Sequence, residues 1–126
     1  MRRRSLAALL GLAGLVTSCS DDGTGPGEDC EPSATVVCMA NTTFVPATLT
    51  VTAGTSVTWR NGDGLTHNTT SNPANPTACP GWGHTVGLGS TSAAVAFPTG
   101  GVSCQYFCSL HATATTGTMR GTITVQ

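Results

Sequence analysis

From residue 34 onward, the chain consists of short stretches rich in valine and threonine, each interrupted by glycine, proline or asparagine. Such stretches predict β-strands, because β-branched residues suit a pleated surface and Gly or Pro ends it. Alternation places Leu49 with Val51, and Val57 with Trp59, on one face of their strands. The predicted strands are residues 34–40, 47–53, 55–60, 91–97, 101–108 and 119–125. Short strands without helical periodicity predict an all-β sandwich.

The middle of the chain, residues 69–89, is rich in Pro, Gly and Asn. We expect it to be mostly loop. Because it is longer than an ordinary connection, it has room for short pieces of strand.

The N-terminal residues have the composition of an export signal. Three arginines precede an apolar run from Leu6 to Val16 that is too short to span a bilayer, which predicts a signal peptide over residues 1–18. The segment that ends at Cys19 resembles a bacterial lipobox, in which the cysteine becomes the lipidated N-terminus. The alternative is ordinary cleavage near Ser18 with Cys19 incidental. Residues 19–29, rich in Gly and Asp, predict a flexible tether, which leaves 30–126 as one folded domain.

The charges of the predicted domain are few and balanced. Arg60 and Arg120 oppose Glu31 and Asp63, and the domain has no lysine. A nucleic-acid partner requires a basic surface, so this class of function is excluded.

The cysteines of an exported domain are expected to form disulfides. With Cys19 assigned to the lipid, five remain, so one thiol is left over. Three pairings of the other four are possible if Cys108 is the free thiol. We favour Cys79–Cys104 with Cys30–Cys38, because Cys104 faces inward on its strand where it can meet the central loop.

Three metal-binding residue types lie close together in the sequence YFCSLHATATTGTMRG, residues 106–121. Cys108 ends a predicted strand, His111 follows in a loop, and Met119 begins the last strand. Electron-transfer copper uses one Cys, two His and a weak axial Met. His67, after the strand 55–60 and the turn that follows it, is the candidate second histidine. His84 has no such context and is expected to be solvated.

Two segments carry a family resemblance. FVPATLTVTAGTSVTWRNGDGLTHN (44–68) and YFCSLH…GTMRGTITV (106–125) together resemble the cupredoxins, the plastocyanin-like and pseudoazurin-like blue-copper proteins. The resemblance implies a Greek-key β-sandwich of about 7–8 strands that binds one type 1 copper ion. It implies that the ligands are His67, Cys108, His111 and Met119. Seven residues separate His111 from Met119, more than in the plastocyanin pattern.

The function implied by this resemblance is single-electron transfer. We expect a monomeric carrier in the bacterial periplasm or at the cell surface, attached to the membrane only through a lipid on Cys19. Redox partner proteins would dock near His111 through an apolar patch. An enzyme is not expected, since a copper oxidase or nitrite reductase needs further copper sites and more than three histidines. The alternatives are a module for copper storage or delivery, and a structural sandwich with a vestigial site.

Overall fold

The computed structural model describes residues 30–126, which form two packed β-sheets. The predicted signal peptide (1–18), the tether (19–29) and the predicted lipid site at Cys19 lie outside the described residues. Within residues 30–126, no helix is both long and apolar enough to cross a membrane.

The described part of the chain contains nine strands. In chain order they are β1 (Val36–Ala40), β2 (Thr43–Val45), β3 (Thr48–Val51), β4 (Thr55–Asn61), β5 (His67–Ser71), β6 (Gly83–Val86), β7 (Val95–Phe97), β8 (Val102–Phe107) and β9 (Arg120–Val125). One sheet has the order β2-β1-β4-β7, and the other has the order β3-β9-β8-β5-β6. The strand pairs β1–β4 and β3–β9 are parallel, and the remaining pairs are antiparallel. The predicted all-β sandwich is confirmed.

The additional strands lie in segments with weak sequence signals. β2 is a three-residue strand that returns along β1. β5 and β6 lie on either side of residues 72–82 and pair antiparallel, so the predicted central loop is shorter than expected. His67 is the first residue of β5.

The core forms where the inward residues of the two sheets meet. Val57 and Trp59 are fully buried, and Leu49 and Val51 of the facing sheet are 8% and 6% exposed. These residues have the alternation predicted from the sequence. The ring of Trp59 lies 5.5 Å from the ring of Trp82, measured between centroids. Trp82 is the last residue of the central loop, so this loop packs against the core.

Two disulfides reinforce the small sandwich. Cys30 is bonded to Cys38, and Cys79 is bonded to Cys104, which confirms the favoured pairing. Among the described residues, Cys108 is the one free cysteine, and it is buried.

Candidate metal centre

The candidate ligands come from strand ends at one end of the sandwich. Cys108 directly follows β8, Met119 directly precedes β9, and His67 is the first residue of β5. β8 pairs with both β5 and β9, so these three positions belong to neighbouring strands of one sheet. The Cys108 amide donates to the Met119 carbonyl over 3.0 Å, which extends the β8–β9 ladder to the candidate ligands themselves.

A tight turn brings His111 back toward Cys108. The Cys108 carbonyl accepts hydrogen bonds from the amides of His111 (3.1 Å) and Ala112 (2.9 Å). The three-residue spacing between Cys108 and His111 is therefore the length of one tight turn. This turn places the imidazole of His111 beside the thiol of Cys108.

Three donor atoms converge at this end of the sandwich. The Nδ1 atoms of His67 and His111 are 3.1 Å apart. The Cys108 Sγ atom lies 3.5 Å from Nδ1 of His111 and 3.9 Å from Nδ1 of His67. His67 and Cys108 are fully buried, whereas His111 is partly exposed. The site therefore has two interior donors and one donor at the surface.

The backbone of Asn68 fixes the thiol from the neighbouring strand. Its amide donates to Cys108 Sγ over 3.4 Å. Its side-chain Oδ1 accepts from the Ser109 amide over 2.8 Å, and its Nδ2 donates to the Ser109 hydroxyl over the same distance. Asn68 thus ties β5 to the turn that follows Cys108. It had no metal-ligand signature in the sequence and was missed there.

Asp63 holds the far side of the His67 ring. Its Oδ2 atom lies 3.0 Å from Nε2 of His67. Burial alone would raise the pKa of Asp63, but hydrogen bonds from the Thr42 amide, His67 and the Gly64 amide lower it below its ordinary value of 3.8. The sequence analysis counted Asp63 only as a charge. Its position four residues before a candidate ligand was the available signal.

Met119 is fully buried, and its carbonyl accepts from the Cys108 amide. The seven residues that precede it fold into a small hairpin, in which Ala112 and Gly117 form a β-bridge and the Thr113 amide donates to the Thr116 carbonyl over 2.8 Å. The extra length is thus taken up before the chain reaches Met119.

His84 lies outside this group of donors. It is on β6 opposite Thr69 and is half-buried. Its Nδ1 atom is buried and has no hydrogen-bond partner among the described residues, so the expectation of a solvated ring is only partly met. Within residues 30–126, the cluster of metal-binding side chains is His67, Cys108 and His111, whose donor atoms all lie within 4.8 Å of one another.

The chemistry of these donors fits copper. Thiolate sulfur suits Cu(I), and imidazole nitrogen suits both copper oxidation states. The buried thioether of Met119, whose backbone adjoins Cys108, is a further soft donor type. A His₂Cys set with a nearby Met is typical of mononuclear electron-transfer copper sites.

Comparison with known proteins agrees with this chemistry. Residues 33–126 match the family model for copper-binding proteins of the plastocyanin/azurin family. No curated protein matches the chain.

Solved structures of the same fold include amicyanins and part of a copper-containing nitrite reductase. Amicyanin from Paracoccus versutus (Thiobacillus versutus) is 26% identical, with a TM-score of 0.61 over 78% of this chain and 86% of that chain. An oxidised methionine-to-leucine mutant of amicyanin is 22% identical, with a TM-score of 0.61 over 78% and 87%. A copper-containing nitrite reductase from Thermus scotoductus SA-01 is 23% identical, with a TM-score of 0.61 over 77% of this chain but only 23% of that chain.

Proposed function

The chain belongs to the plastocyanin/azurin family of copper-binding proteins, the cupredoxins, and from that premise we propose that it is a single-electron carrier of the cell envelope. Its cofactor is one type 1 copper ion, for which we propose the ligands His67, Cys108, His111 and Met119. The observation that carries the proposal is the convergence of two imidazole nitrogens and one thiol sulfur within 4.8 Å. When bound there, copper supplies a one-electron Cu(II)/Cu(I) couple.

The surrounding residues hold the proposed donors in place. The Asp63 carboxylate lies 3.0 Å from Nε2 of His67, on the side of the ring away from Cys108. The Asn68 amide donates to the Cys108 sulfur. Donors held in this way reorganise little between oxidation states, which favours electron transfer over storage or delivery of the ion.

Exposed leucines provide the proposed docking surface for redox partners. Leu65, Leu88 and Leu110 are 51%, 53% and 59% exposed. Leu110 directly precedes His111, and Leu65 lies two residues before His67. Leu88 lies two residues after Val86, the cross-strand partner of His67. All three therefore lie in loops at the metal end of the sandwich. With few charges nearby, partner proteins would dock mainly through apolar contact.

The nitrite reductase likeness extends to the fold alone. The chain spans about a quarter of that enzyme, and its sequence has three histidines. An enzyme of that class needs additional copper ligands, so we propose that this chain is not an enzyme.

The cell-envelope location rests on the N-terminal sequence. We propose that the chain is cleaved before Cys19, lipidated there and tethered by residues 19–29 as a monomer in the periplasm or at the cell surface. Mass spectrometry of the native protein tests this proposal. A mature form that begins elsewhere, or an unmodified Cys19, would contradict it.

The site is tested by titrating the copper-free protein with Cu(II) and recording its visible spectrum and voltammogram. We expect an intense thiolate-to-copper band and a reversible one-electron wave. Cys108→Ser should abolish the band, and His67→Ala should weaken binding strongly. His84→Ala is the matched histidine control and should leave the spectrum unchanged. A missing band in the wild-type protein would refute the site, and rapid transfer of Cu(I) to a chelator would instead indicate delivery.

A further inference from the structure

We infer that Asp63 is a positioning residue: it selects the tautomer of His67 and is itself held by Asn61 and by the strained turn between β1 and β2. The inference rests on the proposed function for its meaning, because His67 is a proposed copper ligand. Its first test uses the metal-free protein.

Both oxygens of the Asp63 carboxylate accept hydrogen bonds. Oδ2 accepts from the Thr42 amide (2.8 Å) and faces Nε2 of His67 (3.0 Å), and Oδ1 accepts from the Gly64 amide (2.8 Å). An ionised carboxylate can only accept, so Nε2 of His67 must carry the hydrogen. In the neutral ring, Nδ1 is then the free lone pair, and Nδ1 is the atom that faces Cys108 and His111.

The loop that carries Asp63 is fixed from inside by Asn61. This side chain is fully buried, and its Nδ2 donates to the carbonyls of Leu65 (2.7 Å) and Val86 (2.9 Å). Its Oδ1 accepts from the Asp63 amide over 2.8 Å. Val86 is also the cross-strand partner of His67. Asn61 therefore ties both Asp63 and the strand beside His67 to the end of β4.

The turn between β1 and β2 supplies the second anchor. Asn41 and Thr42 have φ angles of +50° and +57°. Positive φ is unusual for a β-branched residue such as Thr42 and persists where surrounding contacts fix the backbone. The Thr42 amide donates to Asp63 from this conformation. The left-handed turn thus brings a backbone donor to the carboxylate that holds the ligand.

The negative charge of Asp63 should affect the reduction potential of the bound metal. Glu31 is the other acid of the described domain and lies on the exposed segment before β1. A carboxylate hydrogen-bonded to a ligand stabilises Cu(II) more than Cu(I), because its Coulomb attraction to the metal ion, across one imidazole ring, is stronger for the higher metal charge. Asp63 should therefore lower the reduction potential of the bound metal as well as orient His67.

The first experiment is ¹⁵N–¹H NMR of the imidazoles in the metal-free wild-type protein at neutral pH. We expect His67 to be the Nε2–H tautomer. The Nδ1–H form in the wild-type protein would overturn the inference whatever the variants do. This result does not depend on copper, so it separates a failure of the inference from a failure of the proposed function.

The second experiment compares two variants with a charge control. Asp63→Ala should mix the His67 tautomers and weaken Cu(II) binding about 10–100-fold. Asp63→Asn keeps the shape but removes the charge, so it should reduce the preference for Cu(II) over Cu(I) about tenfold. Glu31→Gln removes a charge elsewhere and should change neither quantity. Unchanged tautomer and Cu(II) affinity in the folded Asp63 variants would refute the role.

Discussion

Gly121 lies directly opposite Tyr106 in the β8–β9 ladder. A Cβ atom at this position would overlap the tyrosine ring, and the ring cannot easily move because it is 1% exposed and packs 4.7 Å from Phe44 and 5.2 Å from Trp59, measured between centroids. We therefore expect Gly121→Ala to lower the free energy of unfolding by about 1–3 kcal/mol through overpacking. Urea unfolding of the copper-free protein measures this loss.

Gly83→Ala is the matched control for that substitution. Gly83 is also a strand glycine of the same sheet, but no atom lies within 4 Å of the Cβ position. Its stability should be close to wild type. Equal losses in the two variants would show that the contact with Tyr106 is not the cause.

Tyr106 also makes the stability of the domain sensitive to alkaline pH. Burial raises the pKa of its phenol well above the ordinary value of 10.0. The folded state thus favours the neutral phenol, so this contribution is fully present below about pH 10 and is lost as the pH rises toward the folded-state pKa. The loss should be about 1.4 kcal/mol for each unit above pH 10.

The measurement is the unfolding free energy of wild type and Tyr106→Phe from neutral pH to about pH 11. Tyr106 is the only tyrosine in the chain, so the difference in slope belongs to one phenol. Parallel curves for the two proteins would contradict the prediction.

The sequence was sufficient to identify candidate-site residues that lie in recognisable local sequence patterns. Cys108 and His111 share one turn, and His67 follows a recognisable strand and turn, so their types and spacing were sufficient. The role of Asp63 was missed, because its contact with His67 depends on how the loop folds and on a turn 21 residues away. The spacing of four residues between Asp63 and His67 was a local signal, but no local pattern encodes the approach of Thr42.

At the scale of elements, the segment between His111 and Met119 folds as a hairpin fixed to the sheet. The Arg120 guanidinium donates to the carbonyls of Thr115 (3.2 Å) and Ala114 (3.0 Å). Asn72 also donates to the Ala114 carbonyl over 3.0 Å. The hairpin therefore packs back over the start of β9, and Met119 remains in register with Cys108.

Arg120→Leu tests whether the sheet or the hairpin positions Met119. Loss of both guanidinium hydrogen bonds should raise hydrogen exchange in residues 113–118, with a cost of about 1–3 kcal/mol to local stability. The visible band of the copper form should not change, because the Met119 carbonyl is held by the Cys108 amide. A shifted band in this variant would mean that the hairpin sets the site.

Met119 itself is predicted to supply the weak axial sulfur. Met119→Leu should keep copper bound and blue, because the two imidazoles and the thiolate remain. The potential should rise on the order of 60 mV, equivalent to a tenfold change for one electron, since loss of a weak donor disfavours Cu(II) more than Cu(I). Voltammetry of both proteins checks this. An unchanged potential and spectrum would show that Met119 only packs.

The strands that were missed show where sequence patterns fail. β5 reads HNTTS, with no aliphatic side chain on its inward face, because His67 and Thr69 occupy buried positions there. A strand that gives its interior positions to a site loses the apolar alternation by which strands are recognised. β6 is a short edge strand after a Pro and Gly segment, and its signal is weak for that reason.

The molecule as a whole depends on its disulfides, because a sandwich of this size has a small core. The Cys79–Cys104 bond joins the central segment to β8, four residues before Cys108. Trp82, from the same segment, lies 5.6 Å from Phe97 and 5.9 Å from Tyr106, measured between ring centroids. The bond and the indole together hold this loop against the strand that carries the thiol.

The two disulfides should therefore contribute unequally. Cys79–Cys104 closes 25 residues and Cys30–Cys38 closes 8, so loop entropy gives about 3.5 and 2.5 kcal/mol respectively. The comparison is well matched, because each bond joins one fully or nearly fully buried cysteine, Cys104 or Cys38, to a partly buried one. Urea unfolding of Cys79→Ala/Cys104→Ala and Cys30→Ala/Cys38→Ala should show the larger loss in the first variant. Copper titration at low temperature should still give the visible band in both, since neither bond includes a proposed ligand. A larger loss in the second variant would mean that the N-terminal closure of the sandwich, and not the brace on β8, dominates its stability.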